Sequence, residues 1–159
     1  MLGYDTQVVT DNLTLLYTHP YFHEAADRQA RDANDDSEPF SVLIAELSEL
    51  SDMNKTQGYA AGNLALQAAA RAVATVAIRV GGTACRYSGA ALGLIAPGTG
   101  EESVEAMARE ISESLDGRPV VRVLVASWRP GESGEEVIAR ALSSPSVTTA
   151  PAPVAPPPV

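Results

Sequence analysis

The sequence predicts an α/β fold, an α+β sandwich with helices packed around a mixed sheet that carries a central β-hairpin. Three observations lead there. Phe40-Ser41-Val42-Leu43-Ile44-Ala45-Glu46-Leu47 is nearly all apolar and of strand length, as a strand buried on both faces requires. Helical and strand patterns alternate on either side of it. Two short apolar runs, residues 84–87 and 92–96, flank Ser88-Gly89-Ala90-Ala91, where Gly89 supplies the φ freedom of a hairpin tip.

In chain order, a polar turn at Asp11-Asn12 precedes the apolar cluster Leu13-Thr14-Leu15-Leu16-Tyr17. Pro20 suits a first helical turn, and Phe22, Ala25 and Ala26 at i, i+3, i+4 predict a helix running to about Asp32. The polar stretch 33–39 with Pro39 reads as a loop. After the strand at 40–47, whose Glu46 must sit at the rim or be paired, comes a short polar helical segment at 49–56. A long Ala-rich helix spans about 60–79 and stops at Gly81-Gly82. Beyond the hairpin, Pro97-Gly98-Thr99-Gly100 forms a turn, and Glu101-Glu102 place acids at the positive end of the next helix. Val104, Met107, Ile111 and Leu115 form its apolar stripe. Residues 120–128 read as a strand, and Ser133 with Glu136 forms a capping box for a last helix ending near Leu142.

These elements divide the chain into a lead-in at 1–10, one domain at 11–144 and a Pro-rich tail at 145–159. The tail, from Ser146 on, is expected to stay out of the core in extended polyproline conformations. Its Pro153-Val154-Ala155-Pro156 matches PxxP and reads as a linker or a docking peptide.

At 159 residues, with 45% hydrophobic and 19% charged residues, the chain is long enough for one globular core. A formal net charge of −9 opposes nucleic-acid binding, and no basic amphipathic stretch suggests a membrane surface. The lone Cys85 excludes an internal disulfide and fits a reducing cytoplasm. No apolar run of membrane-spanning length and no signal peptide is read from the sequence.

A catalytic hairpin tip needs polar groups, usually carboxylates, whereas this one presents a hydroxyl, bare backbone and two methyl groups. Several stretches nevertheless resemble, in register over roughly residues 11–142, the GGDEF domain family, the diguanylate cyclases. The segment from Asp11 to Phe22 resembles the family's D-x-L-T-G-L-Y-N-x-R-Y-F. Residues 43–50 with Asn54, Gly58 and Ala60-Ala61-Gly62-Asn63 resemble L-I-D-x-D-x-F-K-x-x-N-D-x-x-G-H-x-x-G-D. Arg86-Tyr87-Ser88-Gly89-Ala90-Ala91-Leu92 stands where R-Y-G-G-D-E-F belongs.

The resemblance implies a nucleotidyl-cyclase-like fold and, in the family, condensation of two GTP into cyclic di-GMP with two divalent ions held by carboxylates. Here the signature acids correspond to Ala90 and Ala91, leaving Glu46 as the one family metal-ligand position with a carboxylate. Magnesium needs oxygen ligands, so no catalytic residue, metal or cofactor is expected. Ser88 replaces a glycine where backbone approaches phosphate, and Leu92 replaces phenylalanine. The basic phosphate-binding residues of the family's final helix have no counterpart near Arg140.

Asn54 and Asn63 fall at the guanine-binding positions, with Asn63 in place of an aspartate, and otherwise read as ordinary loop and cap residues. Arg79 and Arg86 fall at the product-inhibition positions, while the accompanying acid is Gly82. The alternative is a helix C-terminal arginine and a solvent-facing strand arginine.

His19 and His23 have helical metal-ligand spacing but no evident third ligand, and read as surface residues. Cys85 reads as core, and Asp52 with Lys55 as a solvated pair. Three functions follow as expectations. The first is an inactive regulatory domain that binds a protein partner or a second copy. The second is a receptor for cyclic di-GMP or GTP through Arg79 and Arg86 or Asn54 and Asn63. The third is a residual cyclase resting on Glu46 alone.

Overall fold

The computed structural model describes residues 10–147, so positions 1–9 of the expected 1–10 lead-in and positions 148–159 of the expected 145–159 tail lie outside the described residues. Among the described residues the order is α1 (His19–Asp36), β1 (Phe40–Glu46), α2 (Leu50–Gln57), α3 (Tyr59–Val80), β2 (Thr83–Ser88), β3 (Ala91–Pro97), α4 (Glu101–Leu115), β4 (Arg122–Ser127) and α5 (Gly134–Ser143). Helix α1 runs past the expected end near Asp32 and absorbs most of the predicted loop. Ala33 is fully buried there, so packing overrides the polarity of its neighbours.

The strands lie in the order β2-β3-β1-β4, and every ladder is antiparallel. The expected mixed sheet is therefore antiparallel in its four strands. Parallel pairing enters, among the described residues, at one isolated bridge between Tyr17 and Cys85. Strand β1 is central, and its residues alternate between two cores. Leu43 and Ala45, and Leu47 just beyond the strand, face α3 and α4, while Val42 and Ile44 face α1 and α5. This explains the near-continuous apolar run: each face of β1 meets its own helical layer.

Helix α3 is by length and composition apolar enough to cross a membrane, although no run of that kind was read from the sequence. Its apolarity serves packing: Ala65, Leu66, Ala69, Ala70, Val73, Val76 and Ala77 are buried against the sheet. The tail's expected separation from the core fails at Val147. Its N–H donates to the Val123 carbonyl at 2.7 Å on the outer edge of β4, and its side chain packs on the core. An unpaired edge strand offers such hydrogen bonds to any extended segment.

Two backbone positions carry constraint. A Cβ on Gly93 would lie 2.6 Å from the Phe22 ring, so the bare glycine is what lets α1 seat on β3. Leu15 has φ 63 and is 76% exposed, at the position where the family pattern has glycine. Leucine in this left-handed region costs about 1–2 kcal/mol. Gly93→Ala is expected to lower stability by about 1–3 kcal/mol through overpacking. Leu15→Gly is expected to raise it by up to about 1 kcal/mol, relief of strain being partly offset by unfolded-chain entropy. Urea unfolding of both variants checks the opposite signs.

Candidate functional site

The hairpin tip is a two-residue turn at Gly89 and Ala90, with Ser88 and Ala91 already in the strands. A register shift between Arg86 and Ser88 makes Tyr87 the extra, bulged residue of β2. The tip is held from several sides. Arg86 donates through Nε to the Ser88 carbonyl at 3.0 Å and through Nη2 to the Gly89 carbonyl at 2.9 Å. Its Nη1 donates to Asp11 Oδ2 at 3.0 Å. The Leu47 N–H donates to the Ala90 carbonyl at 2.7 Å, tying the end of β1 to the turn.

Asp11 is itself the hub of a small turn, accepting from the Thr14 N–H at 2.8 Å and hydroxyl at 2.7 Å. Burial pushes its carboxyl up, but the two Thr14 bonds and Arg86 together outweigh burial and hold it below its ordinary 3.8. Arg86 is therefore a strut joining the N-terminal turn to the hairpin rather than a free cation.

The register places Glu46 opposite Ala91 on one side and opposite Arg122 on the other. Arg122 Nε and Nη2 both lie 3.0 Å from Glu46 Oε1, fulfilling the expectation that this carboxylate be paired at the rim. Ala91 is buried in the α1/α5 core, and Ala90 packs on the opposite core. Arg122 was not singled out from sequence, although a charged residue at the end of an otherwise apolar strand is the available signal.

Asn54 and Asn63 lie on consecutive helices, and neither amide makes a hydrogen bond among the described residues. A Cβ on Gly62 would overlap Asn54 Oδ1, so this glycine is what lets the Asn54 amide lie against α3. Arg79, at the end of α3, forms a bidentate pair with Glu110 of α4, both bonds at 2.7 Å. That pairing raises the arginine's pKa and lowers the glutamate's. Arg79 and Arg86 are thus engaged in separate networks. Arg140 of α5 is committed to Glu132, with bonds of 2.6 Å, and donates to the Ser127 carbonyl.

His19 and His23 do not stand apart as plain surface residues. Their Nε2 atoms are 2.8 Å apart, His19 Nδ1 is 2.5 Å from the Tyr87 carbonyl, and His23 Nδ1 is 2.6 Å from Glu135 Oε1. Cys85 is buried as expected, and burial pushes its thiol up to about 12. No ion pair joins Asp52 and Lys55, which are both exposed and solvated separately. Among the described residues no group of three or more His, Cys, Asp or Glu is arranged to hold a metal ion.

The chain is thus one four-stranded antiparallel sheet between two helical layers, with a braced hairpin at its edge. The family model for the diguanylate cyclase GGDEF domain matches residues 8–121, and the chain belongs to the GGDEF domain family. The GGDEF domain of DgcB from Caulobacter crescentus, solved in complex with c-di-GMP, is similar with a TM-score of 0.80 and 24% identity. It covers 90% of this chain and 87% of its own. Diguanylate cyclase SiaD from Pseudomonas aeruginosa, solved with its activator SiaC, gives a TM-score of 0.75 at 18% identity. That match covers 87% of this chain and 60% of SiaD. The FimX GGDEF domain from the same species gives 0.75 at 16%, covering 84% and 89%. No curated protein gives a significant match.

Because the folded Asp11 carboxyl is depressed, its stabilisation is present above its ordinary 3.8 and is lost as pH falls through and below that value. Asp11→Asn is therefore expected to cost about 1 kcal/mol at pH 7 and progressively less towards pH 3. Urea unfolding of both proteins across that range measures the closing gap.

Proposed function

We propose that this chain is a catalytically inactive GGDEF domain acting as a protein-interaction module in bacterial cyclic di-GMP-type signalling, through a protein partner or a second copy. The observation that carries this reading is the charge arrangement at the end of β1. Glu46 faces the methyl group of Ala91 across the ladder, and its charge is already matched by Arg122. A magnesium ion demands several oxygen ligands in near-octahedral array, and one arginine-paired carboxylate is far from that. The family's basic phosphate-binding residues of the final helix have no counterpart here, and the arginine nearest to them, Arg140, is bonded to Glu132. We assign the protein to the cytoplasm, a compartment that suits its single buried thiol.

The protein partner is supported by the match to SiaD, a cyclase solved with an activator protein. A second reading, a receptor for cyclic di-GMP or GTP, is favoured by the unbonded amides of Asn54 and Asn63. Arg79 is half-exposed and its partner Glu110 is too, so this pair can open to a ligand at small cost. The match to DgcB, solved with c-di-GMP, points the same way.

Titration calorimetry with cyclic di-GMP and with GTP separates the two. The interaction-module reading predicts no saturable heat at micromolar ligand. Micromolar binding of cyclic di-GMP that Arg79→Ala abolishes, or of GTP that Asn54→Ala abolishes, replaces it with the receptor.

A further inference from the structure

We propose that His19 and His23 form a surface site for a borderline divalent cation of the zinc class, with water in the remaining coordination positions. The argument begins with proton counting. The Tyr87 carbonyl and the ionised Glu135 carboxylate can only accept hydrogen bonds, so His19 Nδ1 and His23 Nδ1 must both donate. Each ring then has its Nδ1 proton fixed, and its remaining nitrogen, Nε2, is the one that carries a lone pair in the neutral imidazole. These two Nε2 atoms converge to 2.8 Å, a separation that a shared proton or a metal ion must bridge.

The anchoring matches what a metal-binding histidine requires. The nitrogen away from the metal donates to a carboxylate or a backbone carbonyl, which fixes the tautomer and the ring orientation. Both kinds of partner are present, one for each ring, and they come from different elements: Tyr87 from β2 and Glu135 from α5. His19 and His23 are one helical turn apart on α1, the spacing by which two imidazoles reach one ion. Zinc–nitrogen bonds of about 2.0–2.1 Å at a tetrahedral angle place two nitrogens about 3.3 Å apart, so the rings need open by only about 0.5 Å. The site is open to solvent, with His19 exposed and the His23 side chain 28% accessible.

Imidazole nitrogen suits zinc, copper and nickel, whereas magnesium and calcium prefer oxygen, so the site is distinct in chemistry from a phosphate-bound magnesium. On binding, two nitrogen–metal bonds form, and a proton shared between the two Nε2 atoms would leave to solvent. The first turn of α1 carries a positive helix end, which opposes a cation, and the Glu135 carboxylate offsets it.

His19 and His23 are the only two histidines of the chain, which makes the test direct on untagged full-length protein. Zinc chloride is titrated calorimetrically, and the histidine ring signals are followed by NMR. One zinc per chain, with both ring spectra shifting, is the expected result. His19→Gln and His23→Gln are each expected to weaken binding at least tenfold, with unchanged circular dichroism. Glu135→Gln keeps both imidazoles and is expected to weaken binding about tenfold through lost orientation. Absence of saturable binding, or zinc affinity unchanged in the His19→Gln/His23→Gln double variant, overturns the proposal.

Discussion

Strand β1 is hydrogen-bonded along both edges and buried on both faces, so a charge within it can emerge only at its end. Glu46 occupies that end, and the antiparallel registers on either side determine what it meets. On one side stands Ala91, whose side chain has no polar atom. On the other stands Arg122, whose guanidinium lies 3.0 Å from the carboxylate. A carboxylate left half-buried without a cation would be costly, and Arg122 removes that cost from within the fold. The hairpin beside it needs no bound ion to hold its shape, because Arg86, Asp11 and the Leu47 amide already fix the turn.

Much of this was legible in the chain. The apolar run at 40–47, the Ala-rich helix before Gly81-Gly82 and the capping box at Ser133 each follow from local pattern, and each appears in the structure within a residue or two. What escaped depends on contacts distant in sequence. The last turn of α1 looked like loop because its exposed face is acidic, while Ala33 and its buried neighbours decide the matter. The direction of the strands was not readable, since crossovers through helices suit parallel and antiparallel neighbours alike. Val147 joins β4 through a backbone hydrogen bond, which no composition argument detects.

At the site, residue identities were readable and their partners were not. Glu46 could be said to need a partner, but Arg122, 76 residues away, is found only through the β1–β4 register. The histidine pair shows the same limit. Its spacing on α1 is a sequence fact, whereas the Tyr87 carbonyl and Glu135 that orient the two rings come from other elements. Arg79 and Arg86 resemble a matched pair in sequence, yet the fold ties one to Glu110 and the other to Asp11. A family pattern therefore locates positions, and the surrounding charges decide what those positions can still do.

The most direct measurement incubates the purified protein with GTP and excess magnesium and analyses the products by chromatography. The account predicts GTP unchanged and no cyclic di-GMP at any protein concentration. Cyclic di-GMP that rises with protein concentration and disappears in Glu46→Gln would contradict it.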